Sequence, residues 1–248
     1  MSERGRHKSR GKMNKLSNSI LVLGRGLWSK NAVPGVRVRG ENLRKIEGGE
    51  WRNWSPRHSK LAAGILRTKQ ESASLLPNQG SQALYLGAGH GTTVSHLHDH
   101  ICGMENEFGG SIVAVDISSR CMRDLVGLAK QRPGLLPVLA DARKPERLHP
   151  WLNGRVDWLF QDVSQAGQVE LFLDTAKHYL AGGGVALLSL KSASERIVEG
   201  GENEHYDAAA KAMQESGLDV LEIIHLKGWE EQHALISSIA PKEWPSNS

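Results

Sequence analysis

The sequence predicts an α/β fold built on a mostly parallel sheet of seven strands, preceded by a small antiparallel β domain. From residue 82 onward, apolar runs of strand length alternate with stretches of helix length, which is typical of a parallel sheet covered by helices. A glycine cluster follows the first of these runs, where a strand turns into a helix. Residues 20–54 instead contain short strand-like pieces separated by Gly, Pro and Asn.

The N-terminal segment, residues 1–18, is predicted to be a basic disordered tail because it lacks apolar periodicity. Its first 15 positions hold six Lys or Arg and one acid, which leaves 25 basic and 26 acidic side chains in the remaining chain. Such a tail suggests a polyanion partner, most often nucleic acid, although a solvated tail that aids solubility fits equally well. The near-neutral body argues against strong RNA binding by the isolated chain.

Residues 19–54 are predicted to form the small antiparallel β domain, which is too small to bury a core alone and must pack on the main domain. The main domain, 55–248, is predicted to open with a helix near 56–69, with Ser55 as its N-cap and Pro56 at its first position. A helix over 169–184 is expected to stop at Gly182–Gly184. The segment between the last two predicted strands is too short for a helix, which suggests that the last strand is an added antiparallel edge strand. The seven predicted strands are 83–88, 111–117, 135–140, 156–162, 184–191, 219–226 and 233–240.

The glycine cluster "GAGHG" follows the first strand of the main domain, where open α/β sheets bind ligands. Its glycines are Gly87, Gly89 and Gly91. The dinucleotide fingerprint GxGxxG would need a glycine at Thr92, and no Gly-Lys-Ser/Thr follows for a P-loop. The loop therefore does not indicate a pyrophosphate, and an NAD-dependent oxidoreductase is disfavoured.

Three successive strands end in an acid: Asp116, Asp141 and Asp162. Asp116 is placed to hold ribose hydroxyls, as in proteins that bind NAD or S-adenosylmethionine, and Asp141 to accept a hydrogen bond from an adenine amino group. Gln165 is expected to face the same crevice. Each acid alone is as readily a helix cap or turn former, but three of them beside a glycine loop favour a ligand. Acids also suit a cationic sulfonium better than a pyrophosphate.

The segment "LYLGAGHGTTVSH" resembles the nucleotide loop of the fibrillarin family, in its shorter archaeal-type form. The segments "WRNWSPRHSKLAAGIL", "VDWLFQDVSQ", "LLSLK" and "EEQHAL" are similar to other family motifs, in the same order, so the resemblance spans about residues 20–240. It implies a class I S-adenosylmethionine-dependent methyltransferase fold, Rossmann-like. It also implies box C/D RNA-guided 2'-O-methylation of ribose in rRNA and tRNA.

The resemblance also implies a site. The catalytic set matches Lys60, Asp162, Lys191 and His233. Lys191 is expected to stabilise an alkoxide, Asp162 to orient Lys191, and His233 to accept a proton or orient Lys60; the general base stays open. The expected S-adenosyl-L-methionine residues are Gly87, Gly89, Gly91, Thr92, Thr93, Asp116, Ile117, Asp141, Ala142, Asp162, Val163, Ser164 and Gln165.

The chain departs from the family pattern at a few positions, including Asp116 where Glu is usual and Gln232 where Asp is usual. No metal is expected: His96 and His100 are spaced as a metal pair, but no third ligand is evident and a solvated helix face is the preferred interpretation.

The partners implied by the family are a box C/D guide RNA with its target rRNA or tRNA, a Nop-type scaffold protein and a kink-turn-binding ribosomal-type protein. We expect no membrane span and a cytoplasmic location. The alternatives are a stand-alone RNA 2'-O-methyltransferase and a non-catalytic ribonucleoprotein subunit.

Overall fold

The computed structural model describes residues 12–191 and 201–244, which contain two β-sheets. The first sheet is antiparallel, with strands in the order β1–β2–β3–β5–β4. It confirms the small β unit before the main domain. Its strands are β1 (Met13–Lys15), β2 (Ile20–Leu23), β3 (Gly26–Lys30), β4 (Leu43–Ile46) and β5 (Gly49–Trp54).

The second sheet has seven strands in the order β11–β12–β10–β9–β6–β7–β8, and all of its neighbouring pairs are parallel except those made by β12. It confirms the predicted α/β architecture. The strands are β6 (Gln82–Leu86), β7 (Ser111–Asp116), β8 (Leu135–Leu139), β9 (Val156–Gln161), β10 (Leu180–Lys191), β11 (Asp219–His225) and β12 (His233–Ile239). The helices are α1 (Lys60–Arg67), α2 (Thr92–Ile101), α3 (Ser119–Ala129), α4 (Gln168–Tyr179) and α5 (Glu202–Glu215).

Part of the predicted tail is ordered. Residues 13–15 form β1 because they pair antiparallel with residues 21–23. A segment of three residues is too short for its sequence pattern to predict such pairing. Residues 1–11 of the predicted tail lie outside the described residues.

The last strand is antiparallel, as predicted, but it does not lie at the edge. β12 lies between β10 and β11, and β11 takes the edge. Burial explains the order: the five central residues of β12 are all buried, whereas β11 has exposed positions along its length. At this inner position, β10 and β11 pair with both backbone edges of β12, and the two core layers cover its faces.

Two predicted helix limits were wrong. Helix α1 begins at Lys60, because the hydroxyl of Ser59, rather than Ser55, accepts the N-cap hydrogen bond from the backbone of Ala62. Residues 182–184 do not stop a helix, because α4 ends at Tyr179 and the glycines lie within β10, where its pairing with β9 shifts register.

The hydrophobic core has one layer on each face of the seven-stranded sheet. Helices α4 and α5 cover one face. On the other face, α1 and α2 are joined by residues of the N-terminal sheet, among them Ile20, Leu27 and Trp54. The N-terminal sheet is thus part of the main core, as its small size requires.

Helix α2 connects the two sheets through the histidine-rich stretch "HLHDH". The His96 ring stacks on Trp54, with centroids 5.0 Å apart, and His100 Nδ1 lies 2.7 Å from the Ser19 hydroxyl. Asp99 accepts a 2.5 Å hydrogen bond from Arg52 of β5. All three α2 side chains are buried. The preferred interpretation as a solvated helix face was therefore wrong. Within the described ranges, no group of three His, Cys, Asp or Glu is arranged to hold a metal ion.

Candidate active site

Two cavities adjoin at the carboxyl ends of the parallel strands, where ligands of open α/β sheets bind. One has a volume of about 390 Å³ and lies over β7, β8 and β9. The other, about 720 Å³, lies between the main sheet and the N-terminal sheet. Gly87, Gly89 and Asp162 line both, so the two cavities meet at these residues.

The smaller cavity gathers most of the residues that the sequence predicted for the cofactor. Three strand ends bring them together, at β7, β8 and β9. The predicted residues in its lining are Gly87, Gly89, Asp116, Ile117, Asp141, Ala142, Asp162, Val163, Ser164 and Gln165.

The Asp116 carboxylate fixes the glycine loop and still has acceptor capacity. One of its oxygens accepts from the Gly89 backbone and the other from the Ser118 backbone, each at 2.8 Å. A carboxylate has about four acceptor positions, so ribose hydroxyls can still donate to it.

Asp141 is held as a carboxylate at the far side of the smaller cavity. Hydrogen bonds from the Arg143 guanidinium and from the Arg143 backbone lower the pKa of Asp141 to about 2. The carboxylate can therefore act only as an acceptor near neutral pH, which suits an amino donor.

The three glycines of the loop have different roles. Gly87 has φ +79°, and a Cβ there would collide with the Asp162 carbonyl. Gly89, at φ +56°, faces open space. Gly91 lies against Leu125 and Leu128 of α3, which leave no room for a Cβ, and it lines neither cavity, so its part in binding the cofactor stays a prediction.

Thr92 and Thr93 line the larger cavity. The buried Thr93 hydroxyl donates a 2.9 Å hydrogen bond to the hydroxyl of Ser59, the N-cap of α1. Thr93 therefore ties the start of α1 to the start of α2. Because Lys60 follows Ser59 directly, this bond also fixes the backbone that carries the lysine.

The predicted catalytic residues form two pairs. Lys60 Nζ lies 2.9 Å from one oxygen of Asp162 and 3.1 Å from the other, in a salt bridge that is about one-fifth exposed. Lys191 is directly opposite His233 in the β10–β12 ladder, which places their side chains side by side. Asp162 thus orients Lys60, whereas the sequence analysis assigned Lys191 to it. The reason is that the first residue of α1 reaches the residue that follows β9.

His233 is oriented by the turn that precedes it. Its Nδ1 lies 2.9 Å from the Glu231 carbonyl oxygen, which can only accept, and 3.9 Å from the Glu230 carboxylate. The neutral ring therefore carries its proton on Nδ1 and leaves Nε2 free to accept one.

A sequence model of the fibrillarin family matches residues 17–242. The chain belongs to the fibrillarin family. A fibrillarin-like rRNA/tRNA 2'-O-methyltransferase of Thermococcus sibiricus is 39% identical over 208 residues, which cover 84% of this chain and 87% of that protein.

Two solved fibrillarin structures resemble the chain over most of its length. Aeropyrum pernix fibrillarin, solved with natively bound S-adenosyl-L-methionine, has a TM-score of 0.77 at 32% identity, covering 93% of this chain and 99% of that one. The fibrillarin in a fibrillarin/Nop5p complex has a TM-score of 0.72 at 30% identity, covering 86% of this chain and 93% of that one. In the described part of this chain, no helix is both long and apolar enough to span a membrane.

Sequence reasoning did not predict the contacts that join the N-terminal β unit to the candidate site. Arg39, in the loop between β3 and β4, donates hydrogen bonds to the His90 carbonyl (2.7 Å) and to Asp124 of α3 (3.1 Å). Asp124 also lies 2.8 Å from the His90 ring. These contacts join a distant loop to the glycine loop. Because these contacts depend on how the two sheets pack together, no local sequence pattern predicts them.

Proposed function

We propose that the chain is an S-adenosyl-L-methionine-dependent RNA 2'-O-methyltransferase. It methylates ribose in rRNA and tRNA as the cytoplasmic catalytic subunit of a box C/D guide-RNA ribonucleoprotein. The observation that carries the proposal is the Lys60–Asp162 salt bridge, which lies where the two cavities meet. The printed activity of the Thermococcus relative and the cofactor bound by the Aeropyrum fibrillarin support it.

The residues of the smaller cavity fit this cofactor. Gly89 faces open space at the position a Cβ would fill, so a ligand can approach its backbone. Asp116 offers acceptors for ribose hydroxyls, and the ionised Asp141 accepts from an amino group. When bound, the cofactor supplies a methyl group on a positively charged sulfur, and the carboxylates around the cavity suit that charge.

The chain's own residues then act on the acceptor ribose. A neutral hydroxyl is a weak nucleophile, so it must be held in line with the methyl group, and its developing negative charge must be stabilised. We assign the second role to the Lys60 ammonium, which Asp162 holds in place, and to Lys191 at the end of β10. His233 Nε2 is the proposed acceptor of the hydroxyl proton.

Partners supply the choice of target. The body of the chain carries nearly equal numbers of acidic and basic side chains, so we expect the guide RNA and its proteins to bring the substrate. The known fibrillarin/Nop5p complex supports a Nop-type scaffold as one partner. A kink-turn-binding ribosomal-type protein is proposed as the third component.

The test is methyl transfer to a defined target RNA by a particle reconstituted with guide RNA and both partner proteins. Replacing Lys60 with Met is expected to lower kcat by about 100-fold or more, because electrostatic stabilisation of the transition state is lost. Lys130→Met, an exposed change just after α3, is the matched control and is expected to leave kcat unchanged.

Three results would contradict the proposal. Unchanged transfer by the Lys60→Met particle would mean that the site is not catalytic. Full activity without guide RNA or partners would identify a stand-alone enzyme. Calorimetric titration in which NAD binds and S-adenosyl-L-methionine does not would assign the crevice to another cofactor.

A further inference from the structure

We propose that Arg57 and His58 form a phosphate-binding subsite that holds the target-RNA backbone beside the acceptor ribose. This inference rests on the proposed function and extends it from the reacting groups to the substrate. Both residues line the larger cavity together with Lys60 and Asp162. They therefore lie along the side of the crevice from which an RNA strand must present its ribose.

A fixed turn presents the two side chains. The His58 backbone donates to the Ser55 carbonyl at 3.2 Å, and the Arg57 backbone donates to the Ser55 hydroxyl at 3.3 Å. The next residue, Ser59, is the buried N-cap of α1 and accepts from Thr93. The backbone of the subsite is thus fixed at both ends before any substrate binds, which lowers the entropy cost of binding.

Arg57 brings a positive charge to the larger cavity without an acidic partner among the described residues. Three other cations of its lining have acidic partners: Arg52 pairs with Glu41 and Asp99, Arg39 with Asp124, and Lys60 with Asp162. In residues 12–191 and 201–244, by contrast, neither Arg57 nor His58 has an acid within salt-bridge distance, and both side chains are exposed. Glu230, a further acid of the lining, is next to His233 instead.

The position of Arg57 and His58 favours a phosphate of the substrate as their ligand. Consecutive Cα atoms are about 3.8 Å apart, so Arg57 and Lys60 are at most about 11 Å apart along the chain. A ribose whose 2'-oxygen is at Lys60 has a phosphate on each side, within reach of the turn. An arginine donates a planar pair of hydrogen bonds to phosphate oxygens, and a histidine adds one donor. Residues 16–248 hold 25 basic and 26 acidic side chains, so RNA binding there depends on local contacts rather than on net charge.

The first experiment uses the fully assembled particle and measures the target-RNA dependence of methyl transfer. Arg57→Gln is expected to raise KM for the target RNA by about threefold to tenfold. It should also lower the slope of log KM against log salt concentration by about one, the value for one phosphate contact. We expect kcat and the affinity for S-adenosyl-L-methionine to stay within about twofold. His58→Gln is expected to have a smaller effect in the same direction. Arg25→Gln, an exposed change between β2 and β3, is the matched control and should change neither quantity.

The second experiment replaces one phosphate of the target RNA, on either side of the acceptor nucleotide, with an uncharged methylphosphonate. If Arg57 binds that phosphate, the substitution raises KM for the wild-type particle but has no further effect on the Arg57→Gln particle. The phosphate subsite alone would be overturned if each methylphosphonate raised KM as much in the Arg57→Gln particle as in the wild type. It would also be overturned if an active Arg57→Gln particle had an unchanged KM. A wild-type particle that transfers no methyl group would overturn the proposed function instead.

Discussion

At the scale of single residues, the glycine loop has one position that tolerates no side chain and one that tolerates a methyl group. Gly87 combines a positive φ with close contact to the Asp162 carbonyl, whereas Gly89 has a positive φ but open space. Both glycines line the two cavities. Substitutions at these two positions therefore separate the cost of backbone strain from the cost of collision.

We expect Gly87→Ala to lower the free energy of unfolding by about 3 kcal/mol and to abolish binding of S-adenosyl-L-methionine, because the added methyl group must displace the end of β9. Gly89→Ala is the matched control and is expected to cost about 1 kcal/mol, from the positive φ alone. Urea denaturation gives the stabilities, and calorimetric titration gives the affinities. Equal losses of stability in the two variants would contradict the assigned collision.

Sequence reasoning located the candidate site better than it located the contacts within it. Asp116, Asp141 and Asp162 line one cavity because each ends or closely follows a parallel strand, and the strands themselves can be inferred from apolar runs. The partner of Asp162 could not be inferred. It depends on where α1 docks, 102 residues earlier in the chain, and a lone lysine on a short helix gives no signal of that contact.

At the scale of elements, the short helix α1 is bonded to other elements at both of its ends. At its start, Ser59 is bound to Thr93. At its end, the Arg67 guanidinium lies 4.7 Å from the centre of the Trp229 ring and also donates to the Lys227 carbonyl. Trp229 and Lys227 belong to the turn between β11 and β12, which leads into His233. The helix that carries Lys60 is therefore joined to the turn that precedes His233.

We expect Arg67→Ala to lower kcat for methyl transfer about tenfold, because α1 and the turn would lose their common attachment and small misplacements slow positioned reactions strongly. KM for the target RNA should change less than kcat. Arg67→Lys keeps a cation over Trp229 but loses the planar guanidinium, so we expect partial recovery.

The matched control for Arg67 is Lys211→Ala on α5, an exposed cation far from α1 in the sequence. It is expected to leave both constants unchanged. A fall in thermal stability of Arg67→Ala without any change in kcat would show that the attachment only stabilises the fold.

Element order was predictable where strands and helices alternate, and less so where the chain reverses. The parallel strands β6 to β10 were all predicted, since each is a continuous apolar run. The position of β12 was not, because a hairpin fixes only that it neighbours β11, and its burial decides on which side it lies. The start of α1 was missed because both Ser55 and Ser59 are acceptable caps by residue type.

At the scale of the whole molecule, the two sheets are held together by a buried polar seam on α2. His96 lies 2.7 Å from the Ser29 hydroxyl, and His100 lies between the Ser19 hydroxyl and the Pro77 carbonyl. Asp99 receives Arg52 from the N-terminal sheet. The larger cavity lies between the two sheets, so its shape depends on this seam.

The seam makes stability depend on pH. Burial lowers the pKa of both His96 and His100 below the ordinary value of 6.5, and the nearby Arg52 and Arg132 lower the pKa of His96 further. Below pH 6.5 the unfolded chain therefore binds protons that the folded chain does not. The contribution of the two histidines to the free energy of unfolding is therefore fully present above this pH. It falls as the pH decreases, by at most about 1.4 kcal/mol per pH unit for each histidine, until the lowered pKa is reached.

Chemical denaturation between pH 7.5 and 5.5 tests this dependence. The range lies above the ordinary pKa values of Glu41 (4.5) and Asp141 (3.8), the two acids whose pKa values are lowered to about 2, so neither acid contributes to the change. His96→Gln keeps a hydrogen-bonding side chain but cannot titrate, so we expect it to remove about half of the loss of stability below pH 6.5. His178→Gln changes an exposed histidine of α4 and should keep the wild-type dependence. If His96→Gln loses as much stability as the wild type on acidification, the seam is not the origin of the effect. Since the larger cavity lies between the sheets, a weakened seam should raise KM for the target RNA over the same pH range.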